Sequence, residues 1–179
     1  MMKPLFLVCQ LLFSVCAFSQ EAVKPRLSPL AVVTVHYKET YLKVTYSQPH
    51  KQGREIFGKL VPYDQVWQTG ANEATELTLT RDIKIMDVNL KAGSYSIFTI
   101  PGIEKWTIIF NSDLGMWGSY NYNPKMDVVK FDVPVSVLKD VVYEPFTIWI
   151  DQKNDKADLQ MAWDKIKVTL PLQFLEPKL

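Results

Sequence analysis

The chain has 179 residues, 47% of them hydrophobic and 22% charged, a balance that fits one folded domain with a sizeable core and excludes wholesale disorder. Its 20 basic residues stand against 19 acidic ones, so charge gives no indication of nucleic acid or an anionic membrane surface as a partner.

Lys3 supplies one positive charge, Leu5 to Phe18 is apolar apart from Gln10 and Ser14, and Ala17 and Ser19 set small residues before a cut that leaves Gln20 as the new amino terminus. Residues 1–19 therefore read as a secretory signal peptide, too short for the roughly 20 residues that cross a bilayer. The expected destination is the periplasm or the extracellular space. A lipid anchor through Cys16 is a lesser alternative, because Phe13-Ser14-Val15 lacks the small residue such a site needs just before the cysteine. Both cysteines, Cys9 and Cys16, fall in this leader, so the mature chain is expected to carry neither a disulfide nor a thiol nucleophile. Residues 20–30, with Pro25 and Pro29, read as an extended lead into a single domain over 31–179.

Ala31, Val33, Val35 and Tyr37 alternate with Val32, Thr34 and His36, and Tyr41 to Tyr46 repeats the period after Lys38-Glu39, which predicts a hairpin. Leu77 and Leu79, then Ile83 and Ile85, form one interrupted strand or two short ones. Gly93 to Ile100 is apolar on both phases and predicts a central strand buried on both faces. After the Pro101-Gly102 turn, strands carrying Trp106, Ile108 and Phe110, then Val129, Phe131 and Val133, then Phe146, Ile148 and Ile150 follow. Leu159, Met161 and Trp163 occupy odd positions but Ile166, Val168 and Leu170 even ones, so Asp164-Lys165 must be a bulge or a tight turn, with the bulge preferred.

The expected fold is an all-β antiparallel sandwich of about nine or ten strands. One stretch has helical character: Pro62 at a first helical position predicts a short helical turn over Pro62 to Trp67, ended by Gly70. It lies inside Lys51 to Thr75, where glycine, charge, rings and amides concentrate.

Gly53 to Lys59 has the spacing of a phosphate-binding loop, but Leu60 replaces the Ser or Thr that would hold magnesium, and Ile56 and Phe57 crowd the cradle. It reads as a chance spacing in a loop anchored by apolar side chains. His36 and His50 are the only histidines and neither has a second ligand at a metal-binding spacing, so no metal and no cofactor is expected. No G-x-S-x-G elbow or H-E-x-x-H pair occurs. Arg54, Asn72, Glu73 and His50 would suit an acid–base cluster, but a structural Arg54–Glu73 pair closing the segment is the preferred reading.

Gly70 to Glu73 reads as a tight turn after Trp67, and Asn111 to Pro124 mixes Trp117, Tyr120 and Tyr122 with four amide or acid side chains. Flat rings and directed amides suit a neutral polar ligand such as a glycan, whereas the same loop would also serve as a lid over an open end of the core.

Gly53-Arg54, Ile56-Phe57-Gly58, Leu60 to Tyr63, Val66-Trp67, Thr69 to Thr75, Ala92-Gly93-x-Tyr95, Phe98-x-Ile100-Pro101 and Trp106-x-Ile108-Ile109-Phe110-Asn111 together resemble the bacterial domain of unknown function family 2911, found in exported proteins. The resemblance spans most of the mature chain and implies an exported β-rich domain with no established activity. Gln68 departs from it, at a position where Arg or Lys is common, and removes a charge from the possible site.

The expectation is non-catalytic recognition of a small polar ligand, a glycan or a protein partner, with Arg54, Trp67, Asn72 and Glu73 on one wall and Trp117 and Tyr120 opposite. A hydrolase using Glu73 with His50 or Arg54, and an envelope assembly or scaffold protein, are the alternatives.

Overall fold

Strands with one apolar face are stable only when that face meets another, and the described residues form twelve strands in two antiparallel sheets that do so. The computed structural model describes residues 24–175, so the signal peptide expected at 1–19 lies outside the described residues. In chain order the strands are β1 (Leu30–Tyr37), β2 (Thr40–Ser47), β3 (Thr75–Leu79), β4 (Ile83–Ile85), β5 (Val88–Leu90) and β6 (Gly93–Pro101). They continue as β7 (Lys105–Asn111), β8 (Asp127–Pro134), β9 (Ser136–Val137), β10 (Tyr143–Lys153), β11 (Lys156–Asp164) and β12 (Ile166–Phe174). One sheet has the order β1-β2-β3-β6-β7-β8 and the other β10-β11-β12-β4-β5, with β9 also on β12.

The sandwich and its first hairpin are as the alternation predicts: Tyr37 pairs with Thr40 across Lys38-Glu39, and Lys38 takes the positive φ of 49° that the turn needs. The strands outnumber the expected set because β5 and β9, of three and two residues, are too short to show a period. Leu77 and Ile83 prove to lie on separate strands in different sheets.

Buried side chains from both inner faces form one core, including Leu42, Leu77, Ile97, Trp106, Leu159 and Val168. β6 is internal, and its second apolar phase has its own use. Phe98, with Ile109 and Ala74, forms a small second cluster, and Val66, Ile100, Met116 and Tyr122 pack against it. That face of β6 is covered by loops instead of a third sheet.

Two expectations are corrected. Asp164-Lys165 is a tight turn and not a bulge: Trp163 pairs with Ile166 across it, and Asp164 sits at φ 54°. The phase switch follows because the chain reverses there. The helical turn expected at Pro62 to Trp67 does not form, because that backbone bonds to β6 instead of to itself. The Asp64 N–H donates to the Pro101 carbonyl at 2.9 Å, and Trp67 and Thr99 exchange N–H···O bonds of 2.8 and 2.9 Å. The helical turn of the described residues is a 3-10 turn at Pro124–Met126, with Pro124 at its start and the Asn123 side chain accepting the Lys125 N–H at 3.1 Å.

Candidate functional site

β2 and β3 are direct neighbours, yet residues 48–74 separate them in sequence. That excursion crosses one end of the sandwich and is stitched to both sheets. On its outward limb the Phe146 N–H donates to the Pro49 carbonyl and the Lys51 N–H to the Glu144 carbonyl, at 2.8 and 2.7 Å, while Lys51 Nζ reaches Asp164 at 2.6 Å. On its return limb the Trp67–Thr99 bonds continue the edge of β6 beyond its last β3 pair, Thr75 with Ile97.

Ile56, Phe57 and Val61 are buried in the main core, so these members of the segment do plug the end of the sandwich. Leu60 does not, being 43% exposed, and Val66 packs on the second cluster. Trp67 is 7% exposed and sits in an aromatic group, stacked on Trp163 with ring centroids 6.0 Å apart and edge-on to Phe146 at 5.0 Å. Its Nε1–H donates to the Gly70 carbonyl at 2.9 Å. Position 70 must be glycine for a different reason: a Cβ there would stand 2.9 Å from the Ser47 carbonyl oxygen. The hydroxyl of Thr75 donates to the Thr69 carbonyl at 2.6 Å, and Thr69 and Asn72 both take φ of 58°, which fixes the turn.

Outside this plug lies a cleft of about 350 Å³. Trp67 and Trp163 reach it from the core side, and His50, Gln52, Arg54, Gln68 and Asn72 give it polar walls. A second cleft of about 270 Å³ shares Leu60, Val61, Trp67 and Gln68 with the first and is closed on its far side by Gly118, Ser119 and Tyr120. Among the described residues no carboxylate lines either cleft.

Arg54 is held by its own loop, with Nε–H donating to the Lys51 carbonyl at 3.0 Å and Nη2–H to the His50 carbonyl at 2.5 Å. The expected Arg54–Glu73 pair is absent. Glu73 accepts instead from Arg26 Nη1 at 2.7 Å and from the Ser47 hydroxyl at 3.4 Å, because the left-handed Asn72 turns the chain before it and a β-bridge to Trp117 fixes its backbone. The Arg26 guanidinium hydrogen-bonded to Glu73 holds its carboxyl below the ordinary glutamate range, helped by a backbone hydrogen bond. Glu73 lines a third cleft, of about 230 Å³, with Tyr46 and Ser47.

The expected wall is thus divided. Arg54, Trp67 and Asn72 share the first cleft, Tyr120 belongs to the second, Glu73 to the third, and Trp117, 61% exposed, lines none of these three. His50 and Glu73 open onto different clefts, so the acid–base cluster that a hydrolase would use is not assembled. In the 111–124 loop Tyr122 is a lid residue: its ring is edge-on to Phe98 at 5.0 Å and its hydroxyl donates to Asp127 at 2.6 Å. Burial, then the Asp127 carboxylate, pushes the phenol well above its ordinary range.

Sequence reading missed Gln52 and Trp163 as lining residues, and noted Gln68 only as a lost charge at the possible site. Trp163 carried only a strand phase, and Gln52 no pattern at all. Among the described residues no group of three or more His, Cys, Asp or Glu side chains gathers as metal ligands, and no helix is long and apolar enough to cross a membrane.

A family model described as protein of unknown function (DUF2911) matches residues 28–172. No curated protein and no solved structure matches the chain.

Proposed function

The chain belongs to the DUF2911 family of proteins of unknown function, and we propose that it is a non-catalytic recognition domain that takes a small polar ligand in the cleft beside Trp67. The observation that carries this reading is the composition of the cleft. The largely buried Trp67 and Trp163 back its inner side with Leu60, the side chains of Gln52, Gln68 and Asn72 offer directed donors and acceptors, and Arg54 lines it with no carboxylate among the described lining residues. An apolar platform with a few convergent polar groups is what orients a small ligand. General acid–base work would need a carboxylate or a second titrating group beside His50, and among the described residues none lines the cleft. The proposed setting is the periplasm or the extracellular space, supported by the apolar leader of the sequence.

The test is a thermal-shift screen against sugars, sugar acids, peptides and metal ions, repeated on Gln68→Ala and Asn72→Gly. Glycine keeps the positive φ of position 72 while removing the amide. A ligand that stabilises the protein and loses that effect in both variants supports the reading. Turnover of any hit by the protein, or a stabilisation indifferent to both substitutions, overturns it.

A further inference from the structure

We propose that the ligand is an acidic saccharide of at least two units, its carboxylate bound by Arg54 in the first cleft and a neighbouring unit resting on Tyr120 in the second. This deepens the binding reading above and depends on it.

Two backbone carbonyls fix the Arg54 guanidinium, and among the described residues no carboxylate pairs with it. A guanidinium has five N–H donors, so those two bonds leave a fork free for a planar anion. Because the fork is held before the ligand arrives, less side-chain entropy is lost on binding. His50, whose carbonyl does part of the holding, lines the same cleft.

Leu60, Val61, Trp67 and Gln68 belong to both clefts, so the two lie side by side, and in the proposed complex the saccharide passes over this common wall from one to the other. Each volume is near the lower end of the range for small-molecule sites, roughly 300 Å³ upward. Tyr120, 88% exposed, presents its ring at the far end. The ring lies over Gly118, where an added Cβ would come within 2.8 Å of it, and Gly118 is itself hydrogen-bonded to Asn72 of the first cleft. A positioned flat ring with an open face, beside the amides of Gln65 and Gln68, suits the apolar face and hydroxyl edge of a sugar.

The experiment is calorimetric titration of the protein with digalacturonate and dimannuronate, with a neutral galactose dimer, with galacturonate alone, and with a short peptide bearing a free carboxyl terminus. Wild-type protein should bind an acidic dimer roughly tenfold or more tighter than the neutral dimer, and Arg54→Gln should close that gap. Tyr120→Ala should weaken the acidic dimer about fivefold and leave galacturonate unchanged. Both residues are exposed, and melting temperatures of the variants check that the fold persists. Equal binding of acidic and neutral dimers overturns the acidic assignment while small-ligand recognition stands. Binding of the peptide alone overturns the saccharide with recognition again intact, and binding of no probe overturns the inference outright.

Discussion

The backbone N–H of Gly118 donates to the Asn72 carbonyl at 2.8 Å, joining the turn that walls one cleft to the loop that carries Tyr120. Both residues are left-handed, at φ of 65° and 58°. Gly118→Ala therefore meets two penalties, a strained backbone and a Cβ within 2.8 Å of the Tyr120 ring. Gly115→Ala meets only the first, since φ there is 67° with nothing within 4 Å of the added Cβ. The expected cost is about 1 kcal/mol for Gly115→Ala, with Gly118→Ala costing more. Urea denaturation of the two variants measures the difference, and equal losses would show that Tyr120 swings away freely.

Trp67, although it lines the first cleft, is expected to behave as a core residue. Trp67→Ala removes a ring that touches Phe57, Trp106, Phe146 and Trp163, and leaves the Gly70 carbonyl without its indole donor. A loss of about 3–5 kcal/mol follows, read as a shift in the denaturation midpoint. A variant as stable as wild type would mean that the aromatic group repacks around the gap.

How much was legible in the sequence follows from what each signal reports. Period two reports which face of a strand is dry, so the sandwich, the first hairpin and the doubly buried β6 could all be read. It does not report direction of travel, and for that reason Asp164-Lys165 read as well as a bulge as it does as the tight turn it is. Local helix signals at Pro62 lost to hydrogen bonds from a strand more than thirty residues later in the chain, with Trp67 bonded to Thr99. The site was harder still. Arg54 and Glu73 are an obvious pair by charge, but pairing depends on which way the Asn72 turn sends the chain. Glu73 found Arg26, from the proline-containing lead, which no spacing rule singles out.

The Arg26–Glu73 pair predicts an acid-dependent share of stability. Its partners hold the Glu73 carboxyl below its ordinary value, so the folded state binds that proton more weakly than the unfolded chain does. The contribution is therefore fully present above the unfolded value of about 4.3 and is lost as pH falls through the depressed folded value. Side-chain exposures of 52% and 38% admit solvent screening, which limits the pair to about 1 kcal/mol or less. Glu73→Gln should accordingly lower the melting temperature slightly near neutral pH and converge with wild type in acid. A gap that persists unchanged below the carboxylate range would assign the effect to the Ser47 contact or to packing.

Lys51 and Asp164 make the last testable link, from the β11–β12 turn to the cleft. Their 2.6 Å ion pair is only 22% and 25% exposed, better shielded than Arg26–Glu73, and it sits where the excursion first touches the second sheet. Asp164→Asn keeps a side chain that tolerates the left-handed φ of 54° and removes the charge, so it isolates the ion pair from the turn. A double-mutant cycle with Lys51→Met should give a coupling of about 1 kcal/mol that shrinks in high salt. Because Lys51 and its neighbour His50 supply the carbonyls that fix Arg54, loosening this anchor should also lower affinity for an acidic ligand although neither Lys51 nor Asp164 lines the cleft itself. If the cycle shows coupling but affinity does not change, the backbone bonds of Pro49 and Lys51 to β10 are sufficient to hold Arg54 in place; a coupling of zero would show that those bonds alone clasp the segment to the second sheet.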